Sequence, residues 1–133
     1  MIEIENEVFT ECKNALQNVY GDAIFLSGEI INSPPEFPAV MIEEKDNYNY
    51  LDSISSLHKE NHVIVFVEIQ IYSNKKAGKK TECKKIASII DMVMQNLGFN
   101  RTMNQPVTNI ANPAIARRIM RFRGLVSKEK YLI

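Results

Sequence analysis

The sequence predicts one α+β domain with the element order α-β-β-β-α-β-β, in which two helices pack on one face of an antiparallel sheet. Two stretches repeat apolar residues at helical spacing, and five others are predicted as strands, of which 23–31 has the β-branched and aromatic content typical of one. The strongest strand candidate, 62–73, has one wholly apolar face, which is typical of a sheet covered by helices on one side. The length of 133 residues fits a single domain, 1–133.

The first helix is predicted over residues 4–20. Apolar residues recur there at helical spacing, namely Ile4, Val8, Cys12, Leu16 and Val19. Gly21 follows the last of them and is a natural helix end.

Two strands are predicted next, over residues 23–31 and 39–46. Between them, 32–38 has three prolines in five positions, so it must be a connector rather than part of a sheet. The following polar stretch, 47–61, is predicted as a loop that carries Tyr48 and Tyr50. Fifteen residues is long for a hairpin loop, and loops of this length are usually functional or mobile. We expect the part around Tyr48 and Tyr50 to meet a neighbouring subunit or another partner.

The strand 62–73 has two different faces. The apolar face, which we expect to lie on the helices, consists of Val63, Val65, Val67, Ile69 and Ile71. The opposite face changes from apolar to polar along its length and consists of Ile64, Phe66, Glu68, Gln70 and Tyr72.

The second helix follows a solvated turn at 74–80 and ends at Gly98. A lysine cluster surrounds its start and consists of Lys75, Lys76, Lys79, Lys80, Lys84 and Lys85. Positive charge at a helix N-terminus opposes the helix dipole. Two interpretations stay open: the lysines are merely solvated, or they line a channel or face a partner.

The last two strands are predicted over 99–103 and 115–127, with a loop at 104–113. In the final strand, Arg117, Arg121 and Arg123 alternate onto one face, which predicts a basic ribbon available to a partner or a neighbouring subunit. Tyr131 belongs to an apolar chain end that we expect a neighbouring subunit to cover.

The zero formal net charge hides two opposite halves. Residues 1–74 hold thirteen acidic and three basic side chains, and residues 75–133 hold thirteen basic and three acidic ones. The halves therefore carry −10 and +10. Either they interleave so that the charges mix on the surface, or an acidic face of one subunit meets a basic face of its neighbour. A head-to-tail contact of the second kind closes into a ring or grows into a filament.

No motif for catalysis, a metal or a cofactor is recognisable. Cys12 and Cys83 stand alone, and His58 and His62 do not form an HExxH pattern. The longest apolar run has five residues, far short of the ~20 that span a bilayer. The acidic start MIEIENEV also lacks the pattern of an export signal. We therefore expect a protein that is not an enzyme, binds no cofactor and contacts no membrane.

Several stretches together resemble the tail terminator (tail completion) proteins of long-tailed phages and prophages. They are PPEFPAVMIEEKDNY, VIVFVEIQIYSNKKAGKK, KKIASIIDMVMQNLGF, RTMNQP and the closing arginine-rich strand. The resemblance covers nearly the whole chain and depends on order and length rather than on an invariant motif.

The resemblance implies a structural virion protein at the head-proximal end of the tail, assembled in the cytoplasm of the bacterial host. Such a protein forms a hexameric ring that caps the tail tube and stops its polymerisation. Its implied partners are copies of itself, the tail tube protein and the head-side connector or head-completion protein. DNA would pass through the ring without sequence-specific binding.

Two alternatives stay open. One is another neck component, such as a head-completion or head–tail joining protein. The other is a small nucleic-acid-binding α+β module, which the basic ribbon favours. Against the second, Phe122 and Met120 alternate away from the arginines, so we expect no aromatic stacking surface beside them.

Overall fold

A computed structural model of the chain describes residues 1–50, 61–108, 111–130 and 132. The elements follow the predicted order: α1 (Glu5–Tyr20), β1 (Phe25–Ser27), β2 (Ala39–Asn49), β3 (His62–Ser73), α2 (Lys79–Leu97), β4 (Asn100–Val107) and β5 (Ala116–Ser127). The α+β fold class is thus confirmed. Within these described ranges, neither helix is long and apolar enough to cross a membrane.

The five strands form one sheet in the order β1-β2-β3-β5-β4. The three pairings among β2, β3, β5 and β4 are antiparallel, whereas β1 runs parallel to β2. The expectation of a wholly antiparallel sheet was therefore wrong at one edge. The reason is the proline-containing connector 28–38, which returns the chain to the starting end of β1 before β2 begins, as parallel pairing requires.

Both helices pack on one face of the sheet, and the main core lies between these layers. The predicted apolar face of β3 is confirmed, since Val63, Val65, Val67, Ile69 and Ile71 all belong to this core. From β5, Met120, Phe122 and Val126 join them, and α2 contributes Ile86, Ile90 and Met94. The alternation of β3 and β5 thus fixes which side of each strand points away from the helices, here called the far face.

Several strand ends differ from the prediction. β1 has only three residues instead of the predicted 23–31. β2 continues to Asn49 instead of 46, because it stays paired with β3 past a bulge after Glu44. β4 continues to Val107 instead of 103, because its pairing with β5 extends that far. The polar residues in these extensions predicted a loop, but their backbone groups are paired with a neighbouring strand.

A second, smaller apolar cluster covers one end of the far face. Ala39, Met41 and Tyr72 are buried there. Ile30 and Phe37 of the connector 28–38 pack against them. The connector is held to β2 because the Ile30 N–H donates a hydrogen bond to Glu43 Oε2 at 2.9 Å. The rest of the far face carries the polar and aromatic side chains described next.

Candidate assembly surfaces

The fold places most of the acidic and basic residues on opposite sides of the sheet. Residues 1–50, which form α1, β1 and β2, carry ten acidic and two basic side chains. Residues 74–130, which form α2, β4 and β5, carry thirteen basic and three acidic ones. Since β1 and β2 lie at one edge of the sheet and β5 and β4 at the other, we call these the acidic side and the basic side.

The helix layer follows the same division. The start of α1 is fixed to β2, because the Glu44 N–H donates to Glu5 Oε2 at 2.7 Å and Asn47 Nδ2 donates to the Ile2 carbonyl at 2.8 Å. α2 instead packs over β3, β5 and β4. The charge separation therefore runs through both layers of the molecule.

Among the described residues, two ion pairs tie the basic side to the rest of the subunit, one to the central strand β3 and one to the acidic side. Arg121 Nε lies 2.9 Å from Glu68 Oε1, and Lys130 Nζ lies 2.8 Å from Glu7 Oε1. The Lys130–Glu7 pair is about half exposed at both ends, so water and salt screen it. The Arg121–Glu68 pair differs, because the Glu68 side chain is only 8% exposed.

Glu68 belongs to a hydrogen-bonded network on the far face, which we call the arginine lattice. It consists of Glu68, Gln70, Tyr72, Arg117 and Arg121. Arg121 donates to Glu68, and Arg117 donates from both Nε and Nη2 to Gln70 Oε1, at 3.3 and 2.8 Å. Gln70 Nε2 donates to Glu68 Oε2 at 3.0 Å, and the Arg117 guanidinium lies over the Tyr72 ring at 5.6 Å. Two of the three ribbon arginines are therefore held by the central strand.

The lattice keeps Glu68 ionised. Burial raises the pKa of Glu68, but hydrogen bonds from Gln70 and Arg121 and the charges of Arg121 and Lys45 lower it by more. The net effect is a pKa below the usual glutamate value. The buried carboxylate thus stays charged near neutral pH. It holds Arg121 directly, and it also accepts a hydrogen bond from Gln70, the residue that holds Arg117.

An aromatic pair lies on the same face as the arginines. Phe66 stands directly opposite Arg123 in the β3–β5 pairing, and the Tyr48 ring stacks on Phe66 at a centroid distance of 6.2 Å. The expectation of no aromatic surface beside the arginines was therefore wrong. That expectation was based on the residues of β5 alone, whereas the aromatic rings come from β2 and β3.

The two tyrosines predicted in a loop lie in or next to β2. Tyr48 is in the strand, and 43% of it is exposed. Tyr50 is half-buried, and its N–H donates to the His62 carbonyl at 3.0 Å, which continues the hairpin. The prediction of a loop over 47–61 was wrong for 47–49, and 51–60 lies outside the described residues. Tyr131 also lies outside them.

The predicted lysine cluster is divided by the structure. Lys79 Nζ donates to the Pro113 carbonyl at 2.7 Å, which ties α2 to the segment before β5. Lys85 Nζ lies 5.4 Å from the centre of the Tyr20 ring on α1. These two lysines therefore have contacts inside the subunit, which the sequence did not indicate.

The remaining lysines are exposed. Lys75, Lys76 and Lys80 lie in or beside the first turn of α2, and Lys84 lies one turn further along the helix. Lys80 also borders a groove of about 520 Å³ between α2 and the β4–β5 connection. Two further cations, Lys79 and Arg117, line this basic groove together with the apolar side chains of Pro106, Val107 and Ile115.

The described residues offer polar contact surfaces rather than a recognisable reactive centre. Within them, no three His, Cys, Asp or Glu side chains gather as a metal site, and His58 lies outside them. Burial raises the pKa of the Cys12 thiol to about 12 and that of the Cys83 thiol to about 11. Both thiols are thus protonated near neutral pH, which makes them poor nucleophiles.

No model of a known protein family matches this chain, and no curated protein sequence matches it. The functional inference therefore depends on the fold and on these surfaces.

Proposed function

We propose that this protein is a ring-forming tail terminator of a long-tailed phage or prophage. In this role, copies of the chain assemble head to tail at the head-proximal end of the tail, cap the tail tube and join the head-side connector. The protein acts through its surfaces and catalyses no reaction. It would be assembled in the host cytoplasm and remain in the virion.

The observation that carries the proposal is the placement of opposite charges at opposite edges of one sheet. A subunit with an acidic side and a basic side is complementary to its own copy after a rotation. Such a contact is heterologous, so it repeats from copy to copy until it closes into a ring or continues as a filament. Charge complementarity of this kind guides association and suppresses wrong registers.

The far face supplies a second surface suited to assembly. The arginine lattice holds Arg117 and Arg121 in fixed positions, and 54% of the Arg121 side chain is still exposed. Tyr48 adds an exposed aromatic ring to the same face. Pre-positioned arginine and aromatic side chains are favoured at protein interfaces, because little side-chain entropy is lost on binding. This face is our candidate contact for the tail tube protein or the connector.

Deletion of the gene in the phage that carries it tests the proposed role. Loss of a tail terminator leaves tube polymerisation unchecked, so electron microscopy of the lysate should show overlong tails. Loss of a head-completion protein would instead give normal tails and heads that leak DNA. Tails of normal length in the deletion mutant would exclude the proposed function.

A nucleic-acid-binding module is the second candidate, because Phe66 and Tyr48 share the far face with Arg121 and Arg123. Aromatic rings next to cations form stacking surfaces for single-stranded nucleic acid. A fluorescent oligonucleotide titrated at several salt concentrations tests this candidate. Tyr48→Ala should then weaken binding, whereas Met92→Ala, at a 65% exposed position on the helix side, serves as the matched control. Equal effects of the two substitutions would contradict a stacking role.

A further inference from the structure

Two acidic residues near the edge of the sheet have no hydrogen-bond or ion-pair partner among the residues that the structure describes. Asp22 lies three residues before β1, and Glu36 lies three residues before β2. Both are exposed, and among the described residues neither side chain takes part in a hydrogen bond or an ion pair. Both charges are therefore open to a contact from outside the described part of the chain.

Lys80 is their counterpart on the basic side. It is exposed at the start of α2, where its charge opposes the helix dipole. Unlike Lys79 and Lys85, it has no contact with a carbonyl oxygen or an aromatic ring in the described part of the chain. Within the described ranges, no contact of Lys80 therefore offsets the small cost of its position.

The register of the sheet places these groups at the same level on opposite sides of β3. Ala39, at the start of β2, pairs with Tyr72, and Ala116, at the start of β5, pairs with Ser73. Phe25, at the start of β1, pairs with Ala39. The acidic pair and the basic groove therefore lie at the same end of the sheet, toward its two different edges. A closed ring needs this arrangement, because each subunit must meet its two neighbours at one height.

We infer that Asp22 and Glu36 of one copy contact Lys80 at the basic groove of the next copy, which is the contact that propagates the ring. The inference rests on the proposed function, and it names the occupant of the groove as a second copy of this chain. The apolar walls of the groove, Pro106, Val107 and Ile115, add area that the acidic connector 28–38 can cover. Lys79 and Arg117 add positive charge to the same contact.

A charge-reversal cycle tests the inference by sedimentation velocity on the full chain at about 50 mM salt, where screening is weak. We expect Lys80→Glu and Glu36→Lys each to raise the protein concentration of half-assembly by about tenfold or more. The double variant, which restores opposite charges across the contact, should return to within about threefold of the unchanged protein. Lys84→Glu is the matched control, because it makes the same change at an exposed position of α2 outside the groove.

Each result decides the inference. If Lys80→Glu and Lys84→Glu weaken assembly equally, or if the double variant is not rescued, the inference is wrong while the ring remains. If the unchanged protein does not assemble, both the inference and the proposed function fail. If Lys80→Glu leaves assembly intact but weakens the binding of a fluorescent oligonucleotide, the groove binds nucleic acid and the inference is wrong. Circular dichroism checks folding, and Lys80→Gln should shift assembly in the same direction by less.

Discussion

Replacement of Glu68 by glutamine should destabilise the protein in a pH-dependent way. Glu68 accepts a hydrogen bond from Arg121 at 2.9 Å and one from Gln70 at 3.0 Å. Glutamine keeps an oxygen that can accept from Gln70 but removes the negative charge that Arg121 faces. The substitution therefore measures how much the negative charge of Glu68 contributes to the stability of the fold.

The expected magnitude follows from the exposure of the two partners. A hydrogen bond to a charged group contributes about 1.5–3 kcal/mol when it is shielded from water. Glu68 is shielded, but 54% of the Arg121 side chain is exposed. Because water competes for the exposed guanidinium, we expect the loss to be about 1 kcal/mol near pH 7.

The sign of the pH dependence follows from the pKa of Glu68, which is lower in the folded protein than its usual value. A group of this kind stabilises the fold above its unfolded pKa, and the contribution disappears as the pH falls through its folded pKa. The stability difference between the unchanged protein and Glu68→Gln should therefore begin to shrink as the pH falls below the ordinary glutamate pKa of about 4.3, and it should keep shrinking as the pH falls further. Other groups titrate in the same range, but they titrate in both proteins and largely cancel in the difference.

Urea denaturation followed by circular dichroism measures this difference at each pH. Both proteins must be compared at equal concentration, because assembly raises apparent stability. Glu11→Gln, the same change at an exposed site on α1, is the control and should change stability little near pH 7. A Glu68→Gln difference that stays constant from about pH 7 to pH 3 would refute the reasoning, as would no difference near pH 7.

Two further predictions concern the core. Gly124→Ala should destabilise the fold by about 1–3 kcal/mol, because an added Cβ would lie 2.6 Å from a Phe99 ring atom. Gly28→Ala, where nothing lies within 4 Å, should change stability by less than about 0.5 kcal/mol, and comparable urea midpoints for the two variants would contradict the packing. Cys12 and Cys83, buried and with raised pKa values, should react with an alkylating reagent only on unfolding, so rapid labelling of the native protein would be inconsistent with their burial.

The fold class could be predicted because local patterns determine it. The alternation in 62–73 is strict, so the core face of β3 was identified residue by residue. The spacing of apolar residues likewise gave both helices. The ends of β2 and β4 were not predictable in the same way, since polar residues there are held in the sheet by backbone pairing with distant strands.

The arginine lattice was only half visible in the sequence. The alternation of β5 predicted that Arg117, Arg121 and Arg123 share a face, and the structure agrees that Arg117 and Arg121 lie together. Their partners on β3 come from positions 47 and 53 residues away. No local pattern determines that β3 pairs with β5, or in which register. The one indication in the sequence was the presence of opposite charges on the polar faces of two different strands, which favours pairing between those strands.

The most direct test of the central claim is the mass of the purified protein by native mass spectrometry over a range of salt concentrations. We expect a closed ring of a fixed number of copies at low salt, which dissociates as salt screens the contact between acidic and basic sides. A protein that remains monomeric at high concentration and low salt would contradict it.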